Sequence, residues 1–223
     1  MASKRDDVYT RLLDAILHGD LLPGEPISER AVAESLGASR VPLREALIQL
    51  QRDGLITNVP RRGAFVRTFS SQELEHLYEL RGALEGLAAA RAALLLPRGA
   101  LAAFRRSFSK ALRSRVLDAQ AAEQLGVAFH EKILEGCGNP LVTDTAARIR
   151  DQVQLAKRMS YDRASAEWVL RGAREHLDIA EAITAGDSAE AERQMKAHIA
   201  AWSRHFSEQL GDRGGADRLT STG

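Results

Sequence analysis

The stretch Ala38-Ser39-Arg40-Val41-Pro42-Leu43-Arg44-Glu45-Ala46-Leu47 reads as a helix with one face to bury and one to present. Leu43, Ala46, Leu47 and Leu50 recur at i, i+3, i+4 and i+7, the spacing of an inward apolar stripe. Ser39 suits the N-cap. Pro42 is tolerable in the first turn, where the N–H it lacks would have no intrahelical partner. Arg40 and Arg44, one turn apart, project together from the outer side near the N-terminus, where the helix dipole favours an anion. That end is suited to phosphate and base edges. An arginine pair is more often just a solvated helix face, so the neighbouring segments decide.

Before it, Val8, Leu12, Ala15 and Ile16 form a first helical stripe that stops at Gly19 and runs into Leu22-Pro23-Gly24-Glu25-Pro26. A short helix from Ser28 to about Leu36 closes at Gly37, and the Ser39 helix follows. Helix, short break, helix is the layout of a helix-turn-helix, whose second helix enters the major groove. After it, Gly54 ends the third helix as a C′ glycine, and Leu55–Val59 and Ala64–Arg67 read as two short strands around Pro60-Arg61-Arg62-Gly63. This is a small β-wing whose tip, Arg61, Arg62 and Gly63, can approach a phosphate backbone or minor groove.

The charge distribution agrees. The chain of 223 residues has a net charge of only +1, but Ser28 to Arg67 holds seven arginines against four acidic residues. From Phe69 onward the charges balance at 21 of each sign, so the basic excess lies in the N-terminal segment. A hydrophobic content of 44% with 27% charged residues fits a globular protein of two domains. The single cysteine, Cys137, excludes an intrachain disulfide framework and a cysteine-based zinc finger. The longest apolar runs are too short to span a bilayer, and the first residues lack the apolar core of a secretory signal. A cytoplasmic protein with no membrane partner is expected.

Residues 6 to 68, through Leu22-Pro23-Gly24-Glu25, Ser28-Glu29-Arg30, Leu36 to Leu47, Gly54-Leu55 and Pro60 to Val66, resemble the winged-helix domain of GntR-type bacterial repressors. The resemblance implies that Arg30, Arg40 and Arg44 contact operator DNA and that Gly63 reaches into the groove from the wing. With Ser39 and the wing-tip Arg61 and Arg62, these make up the expected DNA-binding set.

From Ser70, which with Glu73 forms a capping box, the rest reads as six helices: about 71–96, 98–117, 119–137, 140–160, 164–185 and 188–210. Without strands they make an antiparallel bundle. The fold class expected is therefore mainly α: an N-terminal winged helix-turn-helix over 1–68, an all-α antiparallel helical bundle over 69–212 that binds an effector, and a flexible tail over 213–223. In this bundle His130, His176 and His198 each lie on the apolar face of a different helix. One such histidine is usually a satisfied core residue. Three buried imidazoles each need a polar partner, and a shared zinc or nickel ion supplies one for all, with positions left open for water or a ligand.

Residues 70 to 210 resemble the FCD-type ligand-binding domain of the FadR-like branch of the GntR family, through Arg81-x-x-x-Glu85, Phe129-His130 with Gly138-Asn139-Pro140, Glu175-His176, and Ala185-Gly186-Asp187 leading to His198. In that type an aspartate four residues before the first histidine completes the metal site; this chain has Gly126, and Glu123 is too far along the helix to replace it. The resemblance implies an effector of the small-carboxylate kind. Arg81 then has two open roles: a clamp on the effector carboxylate, or an i,i+4 partner of Glu85. The resulting expectation is a regulator, a repressor working as a homodimer on double-stranded operator DNA, with effector-binding residues Arg81, His130, His176 and His198 and no catalytic residues. An architectural DNA-binding dimer with a vestigial pocket is the alternative. A metal-dependent hydrolase is disfavoured, because no motif supplies a general base beside a metal-bound water.

Overall fold

The computed structural model describes residues 4–114, 119–159 and 165–220. The chain divides into two compact units, Met1–Leu74 with Arg150–Tyr161, and Glu75–Ile149 with Asp162–Gly223.

In the first unit, α1 (Lys4–His18), α2 (Glu29–Leu36) and α3 (Arg40–Arg52) precede an antiparallel hairpin of β1 (Ile56–Val59) and β2 (Gly63–Val66). Its register runs from Ile56 opposite Val66 to Val59 opposite Gly63. The stripe read from the sequence is the buried face of α3: Leu43, Ala46, Leu47 and Leu50 are all buried, against Val8, Leu12 and Ile16 of α1 in the same core. Ser39 occupies the N-cap in an extended conformation, but its hydroxyl makes no capping bond. The sequence supplies the reason. The N3 residue that would donate to it is Pro42, which has no N–H. At the other end the chain turns at Gly54, φ 74°, so that the N–H of Leu55 reaches Leu50 O at 2.9 Å and that of Gly54 reaches Gln51 O at 3.1 Å. Only glycine takes this left-handed turn without a side-chain penalty.

The segment between α1 and α2 runs beside β2: Ile27 N donates to Ala64 O and Val66 N to Glu25 O, with Pro26 bridged to Phe65. This covers the inner edge of the hairpin and leaves its tip projecting. The unit also takes in the last turns of α7 (Pro140–Lys157), where Val153, Leu155 and Ala156 are buried. Just past α7, Arg158 Nε donates to Leu17 O, an acceptor at the end of α1 that has no helical donor left to meet it.

The second unit is helical among its described residues: α4 (Ser71–Leu95), α5 (Ala102–Ser114), α6 (Ala119–Gly136), the first part of α7, α8 (Ala166–Ala185) and α9 (Ser188–Thr220). Helix α8 packs against α5, α6 and α9, and so sits at the centre. The helix starts follow the sequence signals. Leu141 N donates to Asn139 Oδ1 with Pro140 at N1, and Glu190 N to Asp187 Oδ1 at 3.0 Å. Two boundaries stand well away from the sequence reading. Helix α5 begins at Ala102, after a turn in which Ala100 N bonds Pro97 O; its expected end at 115–117 lies outside the described residues. Helix α9 continues through Thr220, across the segment expected to be a flexible tail. No proline follows Gly211 to interrupt its i→i−4 bonds. The rest of that tail, 221–223, is outside the described residues.

The Ser70–Glu73 box forms reciprocally at the start of α4. Glu73 N reaches Ser70 Oγ at 3.2 Å and Ser70 N reaches Glu73 Oε2 at 2.9 Å, while Arg67 Nη2 holds Glu73 Oε1. The Ser70 N–H, followed by Arg67, holds the Glu73 carboxyl below its ordinary range. A group so depressed adds stability above its unfolded pKa and loses it as pH falls through the lower folded value. Glu73→Gln is therefore expected to melt lower than the parent at pH 7, with the difference shrinking as pH falls below about 4, in thermal melts at a series of pH values.

Candidate functional site

Two groups of side chains carry chemistry, one in each unit. In the first unit Arg30, Ser39, Arg40, Arg44, Arg61, Arg62 and Gly63 are all exposed. Arg44 Nε pairs with Glu29 Oε2 of α2 at 3.1 Å. An exposed pair of this kind is worth about 0–1 kcal/mol, so it is readily exchanged for a phosphate or a guanine edge. At the wing tip the N–H of Arg62 closes a turn onto Val59 O, and Arg61 takes φ 64°. That left-handed conformation disfavours a side chain by about 1–2 kcal/mol, yet an arginine is placed there. The Arg62 guanidinium lies 5.4 Å from the Phe65 ring centre, which steadies its stem while the charge stays in water. The sequence reading passed over Val41, which stands 68% exposed between Arg40 and Pro42 on the first turn of α3. A bulky apolar residue beside two presented arginines was the available signal.

In the second unit His130 of α6, His176 of α8 and His198 of α9 are buried, and their Nε2 atoms converge. His176 Nε2 lies 3.1 Å from that of His130 and 3.2 Å from that of His198. Behind two of the rings stand carboxylates: Glu85 Oε2 meets His130 Nδ1, and Glu175 Oε2 meets His198 Nδ1 at 2.8 Å. Each carboxylate is held in turn by an arginine one turn earlier on its own helix. Arg81 Nε reaches Glu85 Oε1 at 2.6 Å, and Arg171 Nε reaches Glu175 Oε1 at 2.8 Å. Two Arg–Glu–His relays thus enter the cluster from α4 and α8. Of the two roles open to Arg81, the i,i+4 pair with Glu85 is formed.

The electrostatics follow from these contacts. Burial alone would raise the Glu85 carboxyl; the Arg81 guanidinium and His130 overcome it and hold the group well below the usual carboxylate range. Glu175 is likewise lowered, against its partial burial, by His198 and Arg171. Burial pushes His198 down to about 4, although Glu175 pulls the other way, so its imidazole is neutral at pH 7. Phe108 and Phe129 wall the site, with ring centres 5.1 and 5.2 Å from that of His176.

A carboxylate only accepts, so the Nδ1 atoms of His130 and His198 donate, and their Nε2 lone pairs turn toward His176. His176 Nε2 carries at most one hydrogen and faces two such nitrogens; it satisfies one of them. The donor set is therefore short of protons at its centre, and a divalent cation accepting three imidazole lone pairs fits it. Gly126 faces the same place: a Cβ built on it would stand 3.0 Å from His176 Cε1. The His176 ring fills the room that a side chain at 126 would enter, and no carboxylate comes from that position. The sequence reading had Glu85 only as a partner of Arg81 and Glu175 only as part of a motif. Neither was assigned to a histidine, because each meets an imidazole more than twenty residues away.

Residues 4–66 match the family described as bacterial regulatory proteins, gntR family, and residues 76–201 match the FCD domain. The chain belongs to the GntR family, with an FCD domain following its DNA-binding domain. Among similar proteins, the HTH-type transcriptional repressor RspR of Escherichia coli (strain K12) is 30% identical over 195 residues, covering 86% of this chain and 84% of that protein. An HTH-type transcriptional regulator from an unstable DNA locus of Streptomyces ambofaciens is 30% identical over 205 residues, covering 89% of this chain and 83% of its own length. In fold, the GntR regulator from Rhodococcus sp. RHA1 superposes with a TM-score of 0.75 at 20% identity, covering 92% of this chain and 98% of that one. E. coli McbR/YncC does so at 0.72 and 20%, covering 94% and 99%. The chain is thus a DNA-binding transcriptional regulator. Among the described residues no helix is long and apolar enough to cross a membrane.

The buried relay gives a stability expectation. Removing one member of a buried ion pair strands the other, at about 3–5 kcal/mol. Glu85→Leu and Arg81→Leu should each lower the unfolding free energy by that order in urea titrations at pH 7. The double variant should lose clearly less than the sum, as coupled neighbours do.

Proposed function

We propose that this regulator is a homodimeric repressor, working in the cytoplasm on two-fold operator DNA, whose affinity for DNA is set by a small carboxylate bound at a divalent metal ion on His130, His176 and His198. The observation that carries the reading is the convergence of three buried Nε2 atoms whose outer nitrogens are held by Glu85 and Glu175. Residues that only filled a core would not leave nitrogen lone pairs facing one another. The name of the E. coli relative, a repressor, supports the sign of regulation.

In this reading residues 1–68 bind DNA and 69–212 bind the effector. Arg40 and Arg44 read base edges from the start of α3, and Val41 between them offers an apolar contact to a thymine methyl group. Ser39 and Arg30 lie on the phosphates, and Arg61, Arg62 and Gly63 follow the wing into the groove. In the second unit the histidines hold zinc or nickel, which supplies a Lewis-acid anchor for an oxygen anion. Glu85 and Glu175 orient the ligating rings. Arg81 keeps Glu85 ionised and adds positive charge beside the pocket, which favours an anionic effector. Binding there alters DNA affinity to the extent that the effector prefers one arrangement of the dimer over another.

Metal analysis of protein purified without chelator or affinity-tag metal is expected to find near-stoichiometric zinc or nickel, and EDTA to lower the melting temperature. His176→Ala should lose the metal and the EDTA effect while keeping DNA binding. Metal-free protein with a melt indifferent to EDTA and to added zinc would overturn the metal half of the proposal. For the DNA half, selection from random duplexes should yield a two-fold sequence. Arg44→Ala should bind it about 5- to 150-fold more weakly, with a flattened preference at one position in each half-site, and equal affinity would remove Arg44 from base reading.

A further inference from the structure

The three nitrogens that converge at the histidine cluster bring no negative charge with them. With Nδ1 of His130 and of His198 donating to carboxylates, these rings present neutral lone pairs from Nε2. The residues whose ligand atoms lie within 4.8 Å of one another are His130, His176 and His198, and among the described residues no carboxylate oxygen joins them. Gly126, one turn before His130 on α6, could carry an acid toward the same point, but a Cβ there would meet His176 Cε1 at 3.0 Å. The carboxylates one step further out are already matched. Glu85 meets Arg81 at 2.6 Å and Glu175 meets Arg171 at 2.8 Å, so each of these pairs sums to zero. A divalent cation on the three rings therefore keeps its full double charge beside the buried Phe108 and Phe129. Uncompensated charge in such surroundings is costly, and the ion's own charge is the largest in the local balance.

We propose that the effector of this protein is a small dianion, a dicarboxylate, which binds together with the metal ion and supplies the negative oxygens that the chain itself does not provide. Metal and anion then enter as a neutral pair. Each raises the affinity of the other by the same factor, as linkage requires. A monocarboxylate leaves one charge unmatched and couples to the metal less strongly. The outer residues set the size of the effect. Arg171, half exposed on α8, cancels Glu175; without it, that carboxylate would offset part of the ion's charge from behind His198. The inference rests on the metal-and-carboxylate reading above, and adds the charge of the effector and its mutual dependence with the metal.

The zinc affinity of the full chain tests it, measured by competition with a chromophoric chelator at neutral pH in a nitrate buffer. Compared at equal free zinc, malonate and succinate should tighten zinc binding by about 10-fold or more. Propionate and butyrate, matched to them in length, should do so clearly less. Arg171→Gln should bind zinc about 3- to 10-fold more tightly than the parent when no dicarboxylate is present, and should gain less from adding one. Its far-UV circular dichroism should match the parent. Loss of a residue that merely held the fold would move zinc affinity the other way. Zinc bound equally tightly with and without either dicarboxylate would overturn this inference and leave the metal reading standing. Monocarboxylates as effective as dicarboxylates would overturn the dianion, and looser zinc binding in Arg171→Gln would overturn the charge balance behind it. A parent that binds no zinc under any of these conditions would overturn both this inference and the metal reading.

Discussion

Three imidazole nitrogens gathered inside an apolar bundle, that of His176 within hydrogen-bonding distance of the other two, are the constraint on which the second unit depends. Such a group is costly unless its lone pairs and protons are matched. The bundle meets this by surrounding the cluster with charge that is itself paired. Glu85 and Glu175 stand behind two of the rings, and Arg81 and Arg171 stand behind the carboxylates. Four helices contribute to the arrangement, and α8 supplies His176, Glu175 and Arg171 together. Its central packing position is thus also the position that organises the site.

The two relays use the same local device for different environments. In each, arginine and glutamate are four residues apart on one helix, so the pair forms before any tertiary contact is needed. The Arg81–Glu85 pair is buried, and the Arg171–Glu175 pair stands nearer solvent. Burial raises the penalty for removing one partner of the first pair, because the other is then left as an uncompensated buried charge. An ionised carboxylate in that position needs its guanidinium, which gives Arg81 a structural duty whatever else it does in the pocket.

The first unit works in the opposite way. Its core is apolar, with α3 lying on α1, and its arginines stay at the surface with weak partners or aromatic support. The wing holds Arg61 in a conformation that a glycine would take more easily. A solvated surface loop derives no stability from that choice.

How much of this was legible differs between the two halves for a physical reason. Local rules fix what neighbours along the chain can do: the α3 stripe, the Gly54 turn, the Ser70–Glu73 box, the start of α7 at Pro140 and the three inward histidines all follow from residue type and spacing. The resemblance carried by those residues also placed the chain in its family. Where the rules met an exception, the cause was still local, as when Pro42 left the Ser39 hydroxyl without its donor. Only the tertiary structure decided which groups from different helices meet: that the three Nε2 atoms share one point, that Glu85 and Glu175 close on His130 and His198, that His176 occupies the room beside Gly126, and that Leu80, Leu87 and Leu94 stay outside the core. Periodicity tells which face of a helix is apolar. Which apolar face finds a partner within the chain is settled by how the helices pack, and no single helix contains that information.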